Sequence, residues 1–210
     1  MLNVKPSLDA IVLAAGSASR FGGGKLVAPW RGGVLLDGAL LAAFSAPVDR
    51  VHLVVGAEPA RVSAAAHDWA KRAGLENRLQ VTVSPHWADG LSASLQAGLS
   101  GLAADRLGAY VFLGDMPLVP TDVLAPLAAA LAAGAAAAVP VYERQMGHPA
   151  LLGSGLFARV AELRGDRGAR LLLEGLGADL ARIPASSAGV LFDVDTPQAL
   201  AEAMNQGVGA

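Results

Sequence analysis

The chain has 210 residues, no cysteine, and 16 basic against 18 acidic side chains for a formal net charge of −2. No cysteine means no disulfide and no thiolate metal or redox site, and a balanced charge without a basic block excludes the broad cationic patch that nucleic-acid binding uses. Hydrophobic residues make up 53% and charged residues 16% of the chain, which excludes disorder and leaves apolar surface for a large core.

The predicted elements alternate between strand and helix. LDAIVLAAG (Leu8–Gly16) reads as a first strand ending in a glycine loop. Its charge at Asp9 and its short apolar run Ala10–Ala15 argue against a signal peptide, so a cytoplasmic location is expected. Val34–Ser45 is apolar on most faces and reads as a buried helix. Arg50–Gly56 is a second strand, and Glu58–Gly74 a helix with Pro59 at its start and Gly74 as its stop. Leu79–Ser84 alternates like a strand, Leu91–Ala104 is helical, and Gly108–Asp115 is a continuous apolar strand of the kind a doubly covered sheet requires. A helix Asp122–Ala133, a strand Ala135–Val141 and a segment Gly147–Gly153 follow. Two short helices (Leu156–Leu163 and Ala169–Leu176), strand-like DLARIP and GVLFDVD (Asp179–Pro184 and Gly189–Asp195), and a last helix from Thr196 complete the chain. No run of about 18 uncharged apolar residues looks membrane-spanning. Leu124–Val141 comes nearest, but Pro126, Gly134 and Pro140 divide it into helix, turn and strand. The alternation predicts a three-layer α/β/α sandwich with a mostly parallel sheet. One domain over residues 1–210 is expected, with a less regular insertion around 142–176.

In such sheets ligands sit outside the carboxyl ends of the strands. The residues there are Gly16–Lys25, Gly56–Glu58, Ser84–Gly90, Asp115–Pro117 and Asp193–Asp195. One loop is glycine-rich and cationic, and two carry carboxylates. A negatively charged ligand and a divalent cation would meet at that edge.

LAAGSASRFGGGK (Leu13–Lys25) suits a phosphate cradle. Glycines let backbone N–H groups approach phosphate oxygens, and Arg20 and Lys25 supply neutralising charge. It is neither of two common alternatives. Ser19 stands where the first Walker A glycine belongs, Leu26 follows Lys25, and Ser17 and Ala18 after Gly16 break the dinucleotide spacing. An ordinary flexible strand–helix loop is the plainer reading. Asp115, in LGDMP (Leu113–Pro117), is either a Mg²⁺ ligand or the cap of the next turn. In FDVDTP (Phe192–Pro197), period-two spacing puts Asp193 and Asp195 on one face of a strand. Thr196 and Pro197 look like the cap and first residue of a helix, so Asp195 either is a metal ligand or serves only that helix. Ser92 and Ser94, at a predicted helix start, either hold a base, ribose or phosphate or merely cap the helix. His148 in GHP (Gly147–Pro149) is a candidate acceptor contact. His52, His67 and His86 are scattered and receive no role. Trp30, Trp69 and Trp87 read as core or surface anchors.

Taken together, LAAGSASRFGGGK, GLSASL (Gly90–Leu95), LGDMP, GHP, GDRGAR (Gly165–Arg170) and DVDTP follow the order found in MobA-like NTP transferases. Over nearly its whole length the chain resembles their molybdenum cofactor cytidylyltransferase branch. The resemblance implies a Rossmann-like nucleotidyltransferase fold. It implies transfer of a nucleoside monophosphate from an NTP to a phosphorylated acceptor, with Mg²⁺ and release of pyrophosphate. Carried over by position, Leu13, Ala14, Ala15 and Gly16 contact base and phosphate. Gly22, Gly23, Ser92 and Ser94 join the nucleotide site. Arg20 and Lys25 bind the triphosphate and, with Asp115, form the catalytic set, while Asp115, Asp193 and Asp195 are the metal-ligand candidates. LAAG resembles the cytidylyl branch, whereas the guanylyl branch reads LAGG, so CTP is expected. The acceptor implied is the molybdopterin cofactor, and the partner implied beyond it is a molybdoenzyme or its chaperone. The chain departs from its relatives at Trp30, Asp37 and Val141–Pro149, all expected on the acceptor side. Rival readings are a cytidylyltransferase for a sugar or polyol phosphate and a non-catalytic nucleotide-binding protein. A nicotinamide oxidoreductase is disfavoured by the missing G-x-G-x-x-G.

Overall fold

A computed structural model describes residues 7–165 and 168–205. In chain order the elements are β1 (Leu8–Ala14), β2 (Pro29–Trp30), β3 (Gly33–Val34), α1 (Leu36–Ser45), β4 (Val51–Val55), α2 (Pro59–Ala73), β5 (Leu79–Val83), α3 (Leu91–Ser100) and β6 (Gly108–Leu113). They continue with α4 (Leu124–Ala132), β7 (Ala137–Tyr142), β8 (Gln145–Met146), β9 (Ala150–Gly153), α5 (Phe157–Ala161), α6 (Gly168–Glu174), β10 (Leu180–Pro184) and α7 (Pro197–Asn205).

The main sheet runs β10-β7-β9-β6-β1-β4-β5, with β8 added to β7. β1 pairs in parallel with β4 and β6, and β5 extends β4 in parallel. Every residue of β1 is buried, as a central strand covered on both faces must be. Alternate residues serve opposite cores. Ala10, Val12 and Ala14 join α1, α2 and α4, while Ile11 and Leu13 join α3, α5 and α6. This is the expected three-layer Rossmann-like sandwich. The chain leaves β1 toward β4 and β5, then crosses back to β6, so the strand order reverses between β1 and β6. Register pairs Ala14 with Val55 and Leu13 with Leu113, which brings the carboxyl ends of these strands level.

Two glycines set the packing around that edge. A Cβ at Gly98 of α3 would lie 2.7 Å from Ile11 Cγ2, and one at Gly38 of α1 would lie 2.5 Å from the Pro117 carbonyl oxygen. Their bare backbones let α3 sit on β1 and let α1 support the loop after β6.

The segment Gly147–Gly153, given no type from sequence, holds β9, which lies antiparallel between β6 and β7 and completes the main sheet. A four-residue apolar run has no periodicity to separate strand from helix. Two sequence expectations are corrected. GVLFDVD is not a strand. Residues Ala188–Val190 form a 3-10 turn, and Val194 packs with Trp30 and Leu35 instead of joining a ladder. Helix α1 starts later than expected, because β2 and β3 form a small hairpin whose turn residues Arg31 and Gly32 both have positive φ. The Asp166–Arg167 part of GDRGAR lies outside the described residues. Among those described, no helix is long and apolar enough to cross a membrane.

At the far end of β1, Asp9 is 1% exposed. It accepts hydrogen bonds from the Arg50 backbone N–H and from Arg106 Nε, each at 3.1 Å, and lies 3.1 Å from His52 Nε2. Burial pushes its carboxyl up, but the His52 hydrogen bond and charge, then Arg106 and the Arg50 amide, bring it below the usual range. This cluster lies at the opposite end of the strand from the glycine loop.

Candidate active site

The loop after β1 runs out over the sheet edge and returns through a short turn, Lys25–Val27. Gly22, Gly23 and Gly24 all have positive φ, a conformation that costs glycine little and other residues much. Leu26 is buried and packs into the same core as Val62 of α2, so the turn is seated on the protein and Lys25 with it. The Lys25 side chain is only 10% exposed.

Lys25 Nζ donates to Asp115 Oδ2 at 2.6 Å and lies 3.4 Å from Asp195 Oδ1. Arg20 Nη1 donates to Asp195 Oδ2 at 2.7 Å from a far more exposed position. The sequence-expected cations and carboxylates, up to 175 residues apart, thus form one network. The backbone explains how. Gly114 N–H donates to Leu13 O at 2.9 Å, tying the end of β6 to β1, and Val194 N–H donates to Asp115 O at 3.0 Å, tying the DVD stretch to both.

Asp193 lies close enough to feel the other acids. Burial, followed by the charges of Asp115 and Asp195, raises its carboxyl above the ordinary range against a smaller opposing effect of Lys25. Among the described residues no three His, Asp or Glu side chains form a ready metal cluster, so the expected Asp115, Asp193 and Asp195 trio is not a preformed cage. One or two hard carboxylate oxygens beside an open cavity nevertheless suit a divalent cation that keeps water and takes phosphate oxygens.

Two cavities meet at Gly16, where a Cβ would find open space. One of about 370 Å³ is lined by Ala18, Ser19, Arg20, Lys25 and Asp195. The other, of about 210 Å³, is lined by Leu13, Ala15, Trp87, Ser94 and Asp115 among others. A third, of about 230 Å³, shares Leu13 and Leu91 with the second and reaches His148, Met146 and Arg170. His148 is partly buried with Nδ1 3.4 Å from Val111 O. Burial holds its pKa down, opposed by the Val111 carbonyl and the charges of Asp115 and Asp193.

Several expected contacts are placed differently. Ala14 faces the α1–α2 core instead of a cavity. The N–H groups of Gly22, Gly23 and Gly24 are committed to Ser19 O, Ala18 O and Glu58 Oε1, so these glycines shape the loop and do not present those amides to a ligand. Ser92 donates its hydroxyl and its N–H to Gly165 O, which fastens α3 to the segment before α6. Asp37 accepts from Val34 N–H and pairs with Arg72, while Trp30 packs under Val194. Trp87, read from sequence as an anchor, lines a cavity. Its strand-end position was the available signal. A Cβ at Gly56 would lie 2.6 Å from both Ala15 O and Trp87 Cβ, so that glycine lets Trp87 pack against the end of β1.

A family model, the MobA-like NTP transferase domain, matches residues 10–183, a span that includes Arg20, Lys25 and Asp115. The chain belongs to that family. It is 25% identical over 191 residues to the molybdenum cofactor cytidylyltransferase of Escherichia coli (strain K12), covering 91% of this chain and 92% of the relative. It is 31% identical over 202 residues to the purine catabolism protein PucB of Bacillus subtilis (strain 168), covering 92% and 94%. Among solved structures it superposes on Rv0371c of Mycobacterium tuberculosis H37Rv with a TM-score of 0.81 at 25% identity, covering 96% of this chain and all of that one. Rv0371c has also been solved in complex with manganese. As a MobA-like NTP transferase the chain is an enzyme of the nucleotidyltransferase class, and its family implies a nucleoside triphosphate and a phosphorylated acceptor as substrates.

Proposed function

We propose that the enzyme transfers CMP from CTP to the terminal phosphate of molybdopterin cofactor, with Mg²⁺, and releases pyrophosphate. The observation that carries this reading is the Arg20–Asp195–Lys25–Asp115 network beside the cavities at the ends of β1 and β6. An oxygen of the acceptor phosphate attacks the α-phosphorus, a new P–O bond forms, and the bond to the bridging α–β oxygen breaks. The attacking group is already an anion, so no side chain has to remove a proton. The work left to the protein is positioning and charge stabilisation. Lys25 and Arg20 exchange their carboxylate partners for triphosphate oxygens. Asp115, with Asp193 or Asp195, would hold the divalent cation, which when bound would supply charge neutralisation for the phosphates. Leu13, Ala15 and Ser94 form the wall against which the nucleoside rests. His148 faces the acceptor from a largely apolar cavity, and that lining favours a flat heterocycle over a sugar or polyol phosphate. The LAAG sequence supports CTP over GTP. Location in the cytoplasm, and delivery to a molybdoenzyme or its chaperone, complete the proposal.

Thermal shift with CTP, GTP, ATP, UTP and NADPH, each with and without Mg²⁺, tests it. A ligand at about 100 times its dissociation constant adds roughly 2.7 kcal/mol, which is roughly 5–10 °C for a chain of this size. The largest shift is expected with CTP plus Mg²⁺. Equal shifts with CTP and GTP would remove the cytidylyl assignment, and a shift with NADPH alone would favour an oxidoreductase.

A further inference from the structure

Glu58 is out of place for an anion-binding edge. It follows the end of β4, beside the loop that carries Arg20 and Lys25, and its negative charge should repel a triphosphate. Both of its oxygens are occupied from within the protein. Oε1 accepts from Gly24 N–H at 2.6 Å, and Oε2 accepts from Arg61 Nη1 at 2.7 Å. The surroundings fit this pairing. Gly24 has a φ of +65°, and a Cβ there would stand 3.3 Å from both Nη1 and Nη2 of Arg61. Glycine at 24 therefore leaves room for the guanidinium that neutralises Glu58. The same loop is knitted to β1, because Ala57 N–H donates to Ala15 O at 3.0 Å. Gly24 is the residue that opens the Lys25–Val27 turn.

We infer that Glu58 is a positioning residue: it clasps the Gly24 amide and so fixes the turn that presents Lys25 to the triphosphate, with Arg61 cancelling its charge. The inference rests on the nucleotidyl-transfer reading for its consequence, but the clasp itself is a property of the ligand-free protein. Glu58 touches no reacting atom. It acts through Lys25, and its removal should matter only while the Lys25 ammonium is there to be misplaced.

The test compares Glu58→Ala and Glu58→Gln in the otherwise unchanged protein and in a Lys25→Met background. Rates are measured with CTP, Mg²⁺ and molybdopterin. Glu58→Ala is expected to lower kcat/KM for CTP by about tenfold or more, the scale of a slightly misplaced binding group. Glu58→Gln keeps an oxygen that accepts from Gly24 and should recover most of that loss. In the Lys25→Met background Glu58→Ala should cost less than about twofold, because residues acting through one group are not additive. An equal loss in both backgrounds, or a Gln variant as impaired as the Ala variant, would overturn the inference. A second readout needs no nucleotide. Trypsin digestion of the ligand-free protein should cut after Lys25 and Arg20 faster in Glu58→Ala than in the unchanged chain, with cutting after the exposed Arg144 unaltered. Unchanged cutting at Lys25 and Arg20, or faster cutting at all three sites, would overturn the clasp. Selective loosening in a protein inactive toward every NTP would uphold the clasp and reject the nucleotidyl-transfer reading instead.

Discussion

Replacing Asp115 with asparagine separates a metal-holding role from a turn-capping one. The substitution keeps shape and hydrogen-bonding capacity and removes one negative charge. The backbone carbonyl of residue 115 still accepts from Val194 N–H, so the DVD stretch stays where it is. What is lost is the charge facing Lys25 Nζ at 2.6 Å in a pair whose side chains are 10% and 24% exposed. Such a partly exposed pair contributes on the order of 1 kcal/mol to stability, a fall of about 2–4 °C in Tm for a chain of this size. Turnover should fall much further, by about 10²-fold or more, as when a charge-stabilising group is removed, equivalent to about 2.7 kcal/mol of transition-state stabilisation. Pyrophosphate release across a Mg²⁺ titration, alongside a melt followed by circular dichroism, measures both. An asparagine that only had to cap a turn would do so about as well as aspartate. Full activity in Asp115→Asn, with the Mg²⁺ dependence unmoved, would refute the assignment and leave Asp193 and Asp195 as the candidates.

Lys25→Met should impair CTP turnover more than Arg20→Ala, because Lys25 is nearly buried between two carboxylates while the Arg20 side chain is 79% exposed. Each charge-assisted contact contributes about 1.5–3 kcal/mol, and steady-state kinetics showing no change in either variant would make the loop merely structural. Asp9→Ala should destabilise the protein by about 3 kcal/mol at neutral pH, since it strands a largely buried arginine. Because the folded-state pKa of Asp9 is depressed, its contribution is complete above the unfolded value of about 3.9 and is lost as pH falls through the lower folded one. The stability gap between the unchanged chain and Asp9→Ala should therefore shrink below about pH 4. Chemical denaturation across pH checks this, and a gap that widened in acid would contradict it.

The core of the site was legible because a parallel sheet gathers residues by rule. Gly16 and Asp115 follow paired strands whose topology brings them to one edge with the loop that carries Lys25, while Asp195 reaches that edge through the Val194–Asp115 backbone bond. What escaped were partnerships that depend on tertiary placement. Asp9 interrupts an apolar strand and His52 sits within another, yet only the pairing of β1 with β4 shows that they need each other. Strand β9 is too short to announce itself, and its place between β6 and β7 follows from no local pattern. GVLFDVD alternates as a strand does, but its apolar residues pack under Trp30 and Leu35. The role of Glu58 was hidden for the same reason, since Gly24 lies 34 residues earlier.

The central claim is most directly tested by mixing the enzyme with Mg²⁺, CTP and molybdopterin cofactor, then following pyrophosphate and the mass of the pterin product. The expected result is one pyrophosphate for each acceptor consumed, a product heavier by one CMP unit, and a slower reaction with GTP. A folded enzyme that releases no pyrophosphate from any of the four nucleoside triphosphates in the presence of this acceptor would contradict it.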